Sequence, residues 1–119
     1  MRSKTVLIID DDFTVHDRIS SVLMRAGIDT VSAGNTTAAK AALDLCTIDA
    51  ILVDTMLGRE DGWNVLCELR RFSKAPALML SDTDVGPAME TNARKLGASG
   101  VLQKPLVDAQ LSAAVCALF

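Results

Sequence analysis

The sequence predicts an α/β fold in which a doubly wound sheet of five parallel strands is covered by helices on both faces. Two periodicities alternate along the 119 residues: short runs rich in apolar and β-branched residues, and longer segments whose apolar residues recur at helical spacing. The first, third and fourth short runs are almost continuously apolar, which is typical of strands buried on both faces. This alternation indicates parallel strands joined by right-handed crossovers, with a ligand crevice at the carboxyl ends of the strands.

Five strands and five helices alternate in this prediction. The predicted strands are residues 5–9, 30–33, 50–53, 77–80 and 100–103, and the predicted helices are residues 15–26, 36–45, 63–72, 87–96 and 108–118. Gly27 is a natural stop for the first helix, and Asn35 is a suitable N-cap for the Ala-rich second helix. In the first helix the apolar residues form one stripe, namely Val15, Ile19, Val22, Leu23 and Ala26.

Each of the last three helices has a local signal of its own. Arg70 and Arg71 lie in the last turn of the third helix, where cations favour the helix dipole, and a solvated helix end is expected there. The fourth helix begins with Pro87 at a first-turn position and stops at Gly97. Asp108 is the expected cap of the fifth helix.

The composition favours one compact domain over residues 1–119 and argues against several functions. The formal net charge of −3 offers no basic face, so direct binding to nucleic acid is not expected. The chain has no apolar run long enough for a signal peptide or a membrane span, so a cytoplasmic location away from the membrane is expected. Cys46, Cys67 and Cys116 lack metal-binding spacing, and we expect them to be small buried hydrophobes.

Polar side chains follow four of the predicted strands: Asp10, Asp11 and Asp12 after the first, Asp54 after the third, Ser81 after the fourth and Lys104 after the fifth. Because the carboxyl ends of parallel strands share one edge of the sheet, these side chains are expected to converge. Clustered carboxylates repel one another unless a cation holds them, and Mg²⁺ prefers oxygen ligands. A carboxylate beside Mg²⁺ is a suitable nucleophile toward phosphorus, with a lysine and a hydroxyl to bind the other phosphoryl oxygens. The pattern therefore indicates an aspartyl-phosphate site.

The sequence resembles response-regulator receiver domains over nearly its whole length. Five motifs carry the resemblance, in order along the chain: IIDDD at residues 8–12, LVDTMLGREDG at 52–62, LMLS at 78–81, LGASG at 96–100 and QKP at 103–105. The resemblance implies a flavodoxin-like (βα)5 fold with strand order 2-1-3-4-5. It also implies a role in two-component signal transduction as a phosphorylation switch that acts through partner binding. Such domains promote their own phosphorylation and dephosphorylation but are not enzymes that act on an external substrate.

The resemblance also implies a role for each site residue. Asp54 would accept the phosphoryl group of a sensor histidine kinase or a histidine phosphotransfer protein, and a downstream effector or output domain would read the result. Asp10 and Asp11, with Asp54 and the backbone carbonyl of Met56, would hold Mg²⁺. Ser81 and Lys104 would contact the phosphoryl oxygens, and the bond from Lys104 to Pro105 would be cis.

The sequence departs from the family pattern at three positions. Gly58 replaces a proline that is common four residues after the acceptor, which predicts a looser loop. Asp82 replaces a small residue after the switch hydroxyl, and it would either repel a phosphodonor or turn outward. Val101 replaces the aromatic switch residue, so any output signal is expected to pass through Ser81 and the loop after it.

Three further residues are assigned structural roles. Asp12 is expected to be a turn or N-cap residue. His16, the only histidine, is expected to be an exposed helix residue, and Trp63 is expected either to pack at a helix start or to form a partially exposed patch there.

Two alternative functions remain open at this point. Asp10 and Asp12 also fit the DxDxT signature of haloacid dehalogenase-like phosphatases, in which Asp10 would be the nucleophile and Asp12 the general acid. That hypothesis leaves Asp54 and Lys104 unexplained, and 119 residues leave little room for a cap over a substrate. The departures at Gly58, Asp82 and Val101 would also suit a degenerate receiver that binds partners without being phosphorylated.

Overall fold

The structure, a computed structural model, describes residues 3–119, so Met1 and Arg2 lie outside the described residues. In chain order the elements are β1 (Thr5–Ile9), α1 (Phe13–Arg25), β2 (Asp29–Ala33), α2 (Thr36–Leu45), β3 (Ala50–Asp54), β4 (Met56–Leu57), β5 (Glu60–Asp61), α3 (Gly62–Leu69), β6 (Ala77–Ser81), α4 (Pro87–Lys95), β7 (Gly100–Gln103) and α5 (Asp108–Cys116). Within this range no helix is both long enough and apolar enough to cross a membrane.

Five of the strands form one parallel sheet in the order β2-β1-β3-β6-β7. Counted without the two short strands β4 and β5, this is the second, first, third, fourth and fifth strand, which is consistent with a flavodoxin-like fold. The predicted α/β architecture is confirmed. The two short strands pair with each other in an antiparallel ladder that the sequence did not predict.

Each face of the sheet carries its own apolar core, because successive strand residues point to opposite faces. On β1, Leu7 and Ile9 pack with residues of α2, α3 and α4, whereas Val6 and Ile8 pack with residues of α1 and α5. All four side chains are fully buried. The central strands therefore read as continuous apolar runs, and their carboxyl ends are held rigidly at one edge of the sheet.

Several helix ends differ from the prediction. Helix α1 ends at Arg25, and Ala26 is its exposed C-cap rather than part of the buried stripe. Helix α3 ends at Leu69, and the guanidinium of Arg70 turns back to donate hydrogen bonds to the carbonyls of Ala75 and Gly97 instead of standing in solvent. The N-cap of α5 is Val107, so Asp108 lies in the first turn and does not cap the helix.

The three cysteines, Cys46, Cys67 and Cys116, are exposed, so the prediction that they are buried is wrong. Cys67 follows directly after the inward pair Val65 and Leu66 and falls on the outer face of α3. Cys46 and Cys116 lie at the ends of α2 and α5. Their positions on the helices, rather than the general tendency of cysteine to be buried, decide their exposure.

The loop that follows β3 is more ordered than predicted. Leu57 pairs with Glu60, so Gly58 and Arg59 form a two-residue hairpin turn. Gly58 has a φ of +59°, which a first central residue needs in a type II′ turn and which glycine adopts without strain. The glycine therefore closes a tight turn here and does not loosen the loop.

Candidate functional site

Lys104 joins two buried carboxylates at the carboxyl edge of the sheet. Its ammonium Nζ lies 2.6 Å from Oδ2 of Asp54 and 2.9 Å from Oδ2 of Asp10. Asp10 is fully buried and Asp54 is 2% exposed. Strands β1, β3 and β7 bring these residues together from distant parts of the chain, as the sequence predicts. The peptide bond between Lys104 and Pro105 is cis, which confirms that prediction.

The electrostatics of this triad depend on burial and charge together. Burial by itself lowers the pKa of the Lys104 ammonium, but the hydrogen bonds and charges of Asp54 and Asp10 outweigh it, and the pKa lies above its ordinary value. Burial raises the pKa of the Asp10 carboxyl, and the nearby Asp54 charge adds to the rise. The hydrogen bonds that Asp10 accepts from the Asp12 N–H and from Lys104 only partly offset this effect. The Asp10 carboxyl is therefore easier to protonate than an ordinary aspartate, chiefly because it is buried.

A cation would find three carboxylates within reach of one another. Asp10, Asp11 and Asp54 each offer one oxygen, and these oxygens lie within 4.8 Å of each other. Asp11 is exposed, whereas the other two are buried, so the group opens to solvent on one side. Carboxylate oxygens with an open side suit Mg²⁺, which keeps several waters.

Asp12 caps helix α1 and is separate from this group. Its Oδ1 accepts hydrogen bonds from the backbone N–H of Thr14 at 2.9 Å and from its hydroxyl at 2.7 Å. These bonds, that of the hydroxyl first, lower the pKa of the Asp12 carboxyl. The predicted N-cap is confirmed. Its Oδ1 is thus occupied in capping the helix.

Ser81 lies at the end of β6, one residue past Leu80, the partner of Asp54 in the sheet. The Ser81 side chain is fully buried, and its hydroxyl donates to the carbonyl of Thr83 while it accepts the Thr83 N–H. The hydroxyl is therefore engaged in its own loop, close to the edge where Asp54 lies. Its predicted contact with a phosphoryl group stays a prediction.

The hairpin that carries Met56 is bound to the site at one end and to helix α2 at the other. The Met56 N–H donates a 2.9 Å hydrogen bond to Oδ1 of Asp54, and the predicted role of its carbonyl stays a prediction. At the far side of the hairpin, Glu60 accepts hydrogen bonds from the backbone N–H and the hydroxyl of Thr36 at the start of α2. Nothing local in the sequence signals this long-range contact. It fixes the loop in which a metal ligand is predicted.

His16 lies beneath the site and is buried, so its predicted exposure is wrong. The ring nitrogen Nε2 donates a short hydrogen bond to the backbone carbonyl of Asp10. Nδ1 is buried and has no hydrogen-bond partner among residues 3–119. His16 lies three residues before Ile19 and seven before Leu23, both buried, and this spacing is the signal that could have placed it inside.

We expect His16→Leu to weaken Mg²⁺ binding about tenfold, because the peptide that carries Asp10 and Asp11 loses its anchor. His16→Gln keeps a side-chain N–H donor and should recover much of the affinity. Calorimetric titration with MgCl₂ measures both, and urea unfolding measures their stability. If both variants bind Mg²⁺ as the wild type does, His16 serves packing alone.

The two other departures from the family pattern have different surroundings. Asp82 is largely exposed, yet its Oδ1 lies 3.6 Å from Nζ of Lys104. Val101 is half-buried and packs against the core on the α4 side of the sheet. Asp82 therefore belongs to the charge cluster, while Val101 belongs to the core.

Comparison with known proteins gives a consistent result. The family model of the response regulator receiver domain matches residues 6–116. The regulatory protein VirG of Agrobacterium tumefaciens is 30% identical over 102 residues, which are 86% of this chain and 38% of VirG. A protein-glutamate methylesterase/protein-glutamine glutaminase of Xanthomonas oryzae pv. oryzae is 34% identical over 106 residues, 87% of this chain and 30% of that protein. The chain thus spans well under half of these curated relatives.

Solved structures show the same similarity over the full fold. A two-component response regulator from Clostridium difficile is 26% identical with a TM-score of 0.89, and the match covers 98% of this chain and 95% of the other. A Francisella response regulator receiver domain is 28% identical with a TM-score of 0.87, and the match covers 98% of this chain and 96% of the other.

Proposed function

Because the chain belongs to the response-regulator receiver domain family, in which phosphorylation by a kinase is typical, we propose that Asp54 is its phosphoacceptor. The observation that carries this assignment is the hydrogen bond from Lys104 to Asp54 at the centre of the acidic group. Asp54 has one carboxylate oxygen held by the Met56 N–H and the other held by the ammonium. Both contacts orient the carboxylate toward an incoming phosphoryl group.

The proposed donor is a phosphohistidine on a sensor histidine kinase or a histidine phosphotransfer protein. A carboxylate oxygen of Asp54 forms a bond to phosphorus while the bond from phosphorus to the imidazole nitrogen breaks. The electron pair stays on that nitrogen, and the product is an aspartyl phosphate. Lys104 is placed to stabilise the negative charge on the transferring oxygens.

Receiver domains typically bind Mg²⁺ at an acidic pocket, and the donor set here fits it. Asp10, Asp11 and Asp54, with the Met56 carbonyl, are the residues that would hold the ion. When bound, Mg²⁺ would neutralise negative charge on the phosphoryl group. Lys104 holds the carboxylates of Asp10 and Asp54 in place by donating a hydrogen bond to each.

We place the output in the loop between β6 and α4. Ser81, the last residue of β6, bonds to Thr83 in this loop, and the side chain of Gln103 binds the loop through the Val85 N–H and the carboxylate of Asp84. Lys104 follows Gln103 directly, so a change at the acceptor reaches both sides of the loop. A downstream effector or output domain that contacts the start of α4 would sense this change. Val101 replaces the aromatic switch residue of the family, so no aromatic side chain at that position transmits the signal.

Phosphorylation with phosphoramidate and MgCl₂, followed by borohydride, tests the proposed acceptor. Borohydride reduces an aspartyl phosphate to homoserine, which marks the modified residue in peptide mass spectra. We expect homoserine at position 54, none without Mg²⁺, and none at that position in Asp54→Asn. Homoserine at position 10 would instead support the phosphatase hypothesis, and no modification with intact Mg²⁺ binding would support the degenerate receiver.

A further inference from the structure

A fourth carboxylate stands at the rim of the acceptor site. Asp82 Oδ1 lies 3.6 Å from Nζ of Lys104, and the Asp82 side chain is 61% exposed where that of Lys104 is 14% exposed. The distance is that of an ion pair and is too long for a hydrogen bond. Asp82 therefore contributes its charge to the site without being fixed to Lys104 as Asp10 and Asp54 are.

Asp82 also lines a groove next to the site. It shares this groove with Thr55 and Met56, which follow Asp54 directly, and with Trp63 and Met89. A small donor that approaches Asp54 from the side of this groove comes near the carboxylate of Asp82, which lies 3.6 Å from the Lys104 ammonium beside Asp54. Because this carboxylate is at the surface, it meets an incoming donor before the buried residues do.

The charges around the acceptor are unbalanced. Lys104 is in contact with three carboxylates, those of Asp10, Asp54 and Asp82, and Asp11 adds a fourth negative charge to the group. A divalent cation would offset only part of this charge. A phosphodonor that is itself a dianion is repelled by the remainder, and repulsion between charges a few ångströms apart is substantial even near a protein surface.

We propose that Asp82 is a specificity-determining residue that disfavours small dianionic phosphodonors at Asp54, an inference that rests on the proposed function. A protein donor gains binding free energy from surface contacts away from the reacting group, and this gain offsets the repulsion. A small donor has no such contacts. The side chain thus reserves the acceptor for a donor protein and limits phosphorylation by free metabolites that carry a phosphoryl group.

The test compares two donors of different charge on four proteins: wild type, Asp82→Asn, Asp82→Ala and Asp44→Asn. Acetyl phosphate is a dianion at pH near neutrality and phosphoramidate is a monoanion. In both reactions an oxygen of Asp54 forms the new bond to phosphorus. With acetyl phosphate the bond from phosphorus to the acetyl oxygen breaks and acetate leaves with the electron pair; with phosphoramidate the phosphorus–nitrogen bond breaks and ammonia leaves. Asp44 is exposed in the last turn of α2, so Asp44→Asn changes the net charge equally at the end of α2 away from the site.

We expect Asp82→Asn to raise the second-order rate constant with acetyl phosphate about tenfold and that with phosphoramidate about threefold, while Asp44→Asn changes neither. Asp82→Ala should match Asp82→Asn, because the charge and not the volume is responsible. The wild-type rate with acetyl phosphate should also rise with salt more steeply than that of Asp82→Asn. Calorimetry should show Mg²⁺ binding equal or weaker in Asp82→Asn, so a faster reaction cannot come from tighter metal binding.

Equal rates for wild type and Asp82→Asn would overturn the inference while leaving the proposed function intact, provided that Asp54 is modified in both. Acceleration by Asp82→Ala alone would assign the effect to the size of the side chain and would also overturn it. Absence of modification at Asp54 in all four proteins with both donors would contradict the proposed function itself.

Discussion

Gly62→Ala is expected to destabilise the protein by about 3 kcal/mol or more, although alanine is the better helix former. A Cβ at Gly62 would lie 1.8 Å from the backbone oxygen of Asp54, and 2.8 Å from the Asp54 carbonyl carbon and from Cα of Thr55. These are backbone atoms that the sheet holds, since Asp54 pairs with Leu80 and the Thr55 N–H donates to the Leu80 carbonyl. The chain therefore cannot relieve the clash without moving Asp54.

Urea unfolding of Gly62→Ala measures this effect, and phosphoramidate labelling shows whether the acceptor is displaced. Gly86→Ala is the matched control: Gly86 also stands at a helix start, has a φ of −110°, and a Cβ there would meet nothing within 4 Å. Its cost should stay below about 1 kcal/mol, since alanine is only a weaker N-cap than glycine. A Gly62→Ala protein as stable as Gly86→Ala would show that the strand end and α3 can move apart.

The contrast between Gly62 and Gly58 shows which parts of the site a sequence can predict. Both glycines belong to the LVDTMLGREDG motif at residues 52–62. From the sequence alone a looser loop was predicted at Gly58, and no role was predicted for Gly62. In the structure Gly58 closes a two-residue turn, and Gly62 lets α3 start against the backbone of Asp54. The local sequence does not show which backbone lies opposite a glycine, because that contact depends on the tertiary arrangement.

The convergence of Asp10, Asp54 and Lys104 could be predicted, because the topology of a parallel sheet places the carboxyl ends of its strands at one edge. The predictions that His16 is exposed and that the cysteines are buried were wrong. They relied on the general behaviour of the residue type and gave too little weight to its position on the helix. His16 shares the buried stripe with Ile19, and Cys67 lies off the stripe of its own helix. For residues of intermediate polarity, helical spacing is the better predictor here.

The contact between Asp82 and Lys104 could be predicted only in part. The strand-end rule places Asp82 near the site, since it follows Ser81 directly, but it leaves the direction of the side chain open. From the sequence, Asp82 was expected either to repel a phosphodonor or to turn outward into solvent. In the structure the side chain is both largely exposed and within 3.6 Å of the ammonium, so it remains part of the electrostatic field of the acceptor.

Lys104→Met is expected to lower the free energy of unfolding by about 3 kcal/mol at pH 7 in EDTA, because it removes the cation from two buried carboxylates. In the wild type the pKa of Lys104 is raised, so its stabilisation is fully present below the ordinary lysine value of 10.5 and is lost only at higher pH. In the variant the pKa of Asp10, already raised by burial, rises further. A folded-state pKa above the unfolded value means that the folded protein binds more protons, so the variant should regain stability as the pH falls from 7 toward 5.

Urea unfolding at several pH values, with and without MgCl₂, measures these effects for Lys104→Met. Mg²⁺ should stabilise this variant more than the wild type, because the ion supplies charge that the lysine no longer provides. Lys40→Met is the control, since Lys40 pairs with Glu68 at the surface and its loss should cost less than about 1 kcal/mol at any pH. If Lys104→Met behaves like Lys40→Met at pH 7 in EDTA, the buried carboxylates do not depend on Lys104. The charge imbalance on which the role of Asp82 rests would then have to be revised.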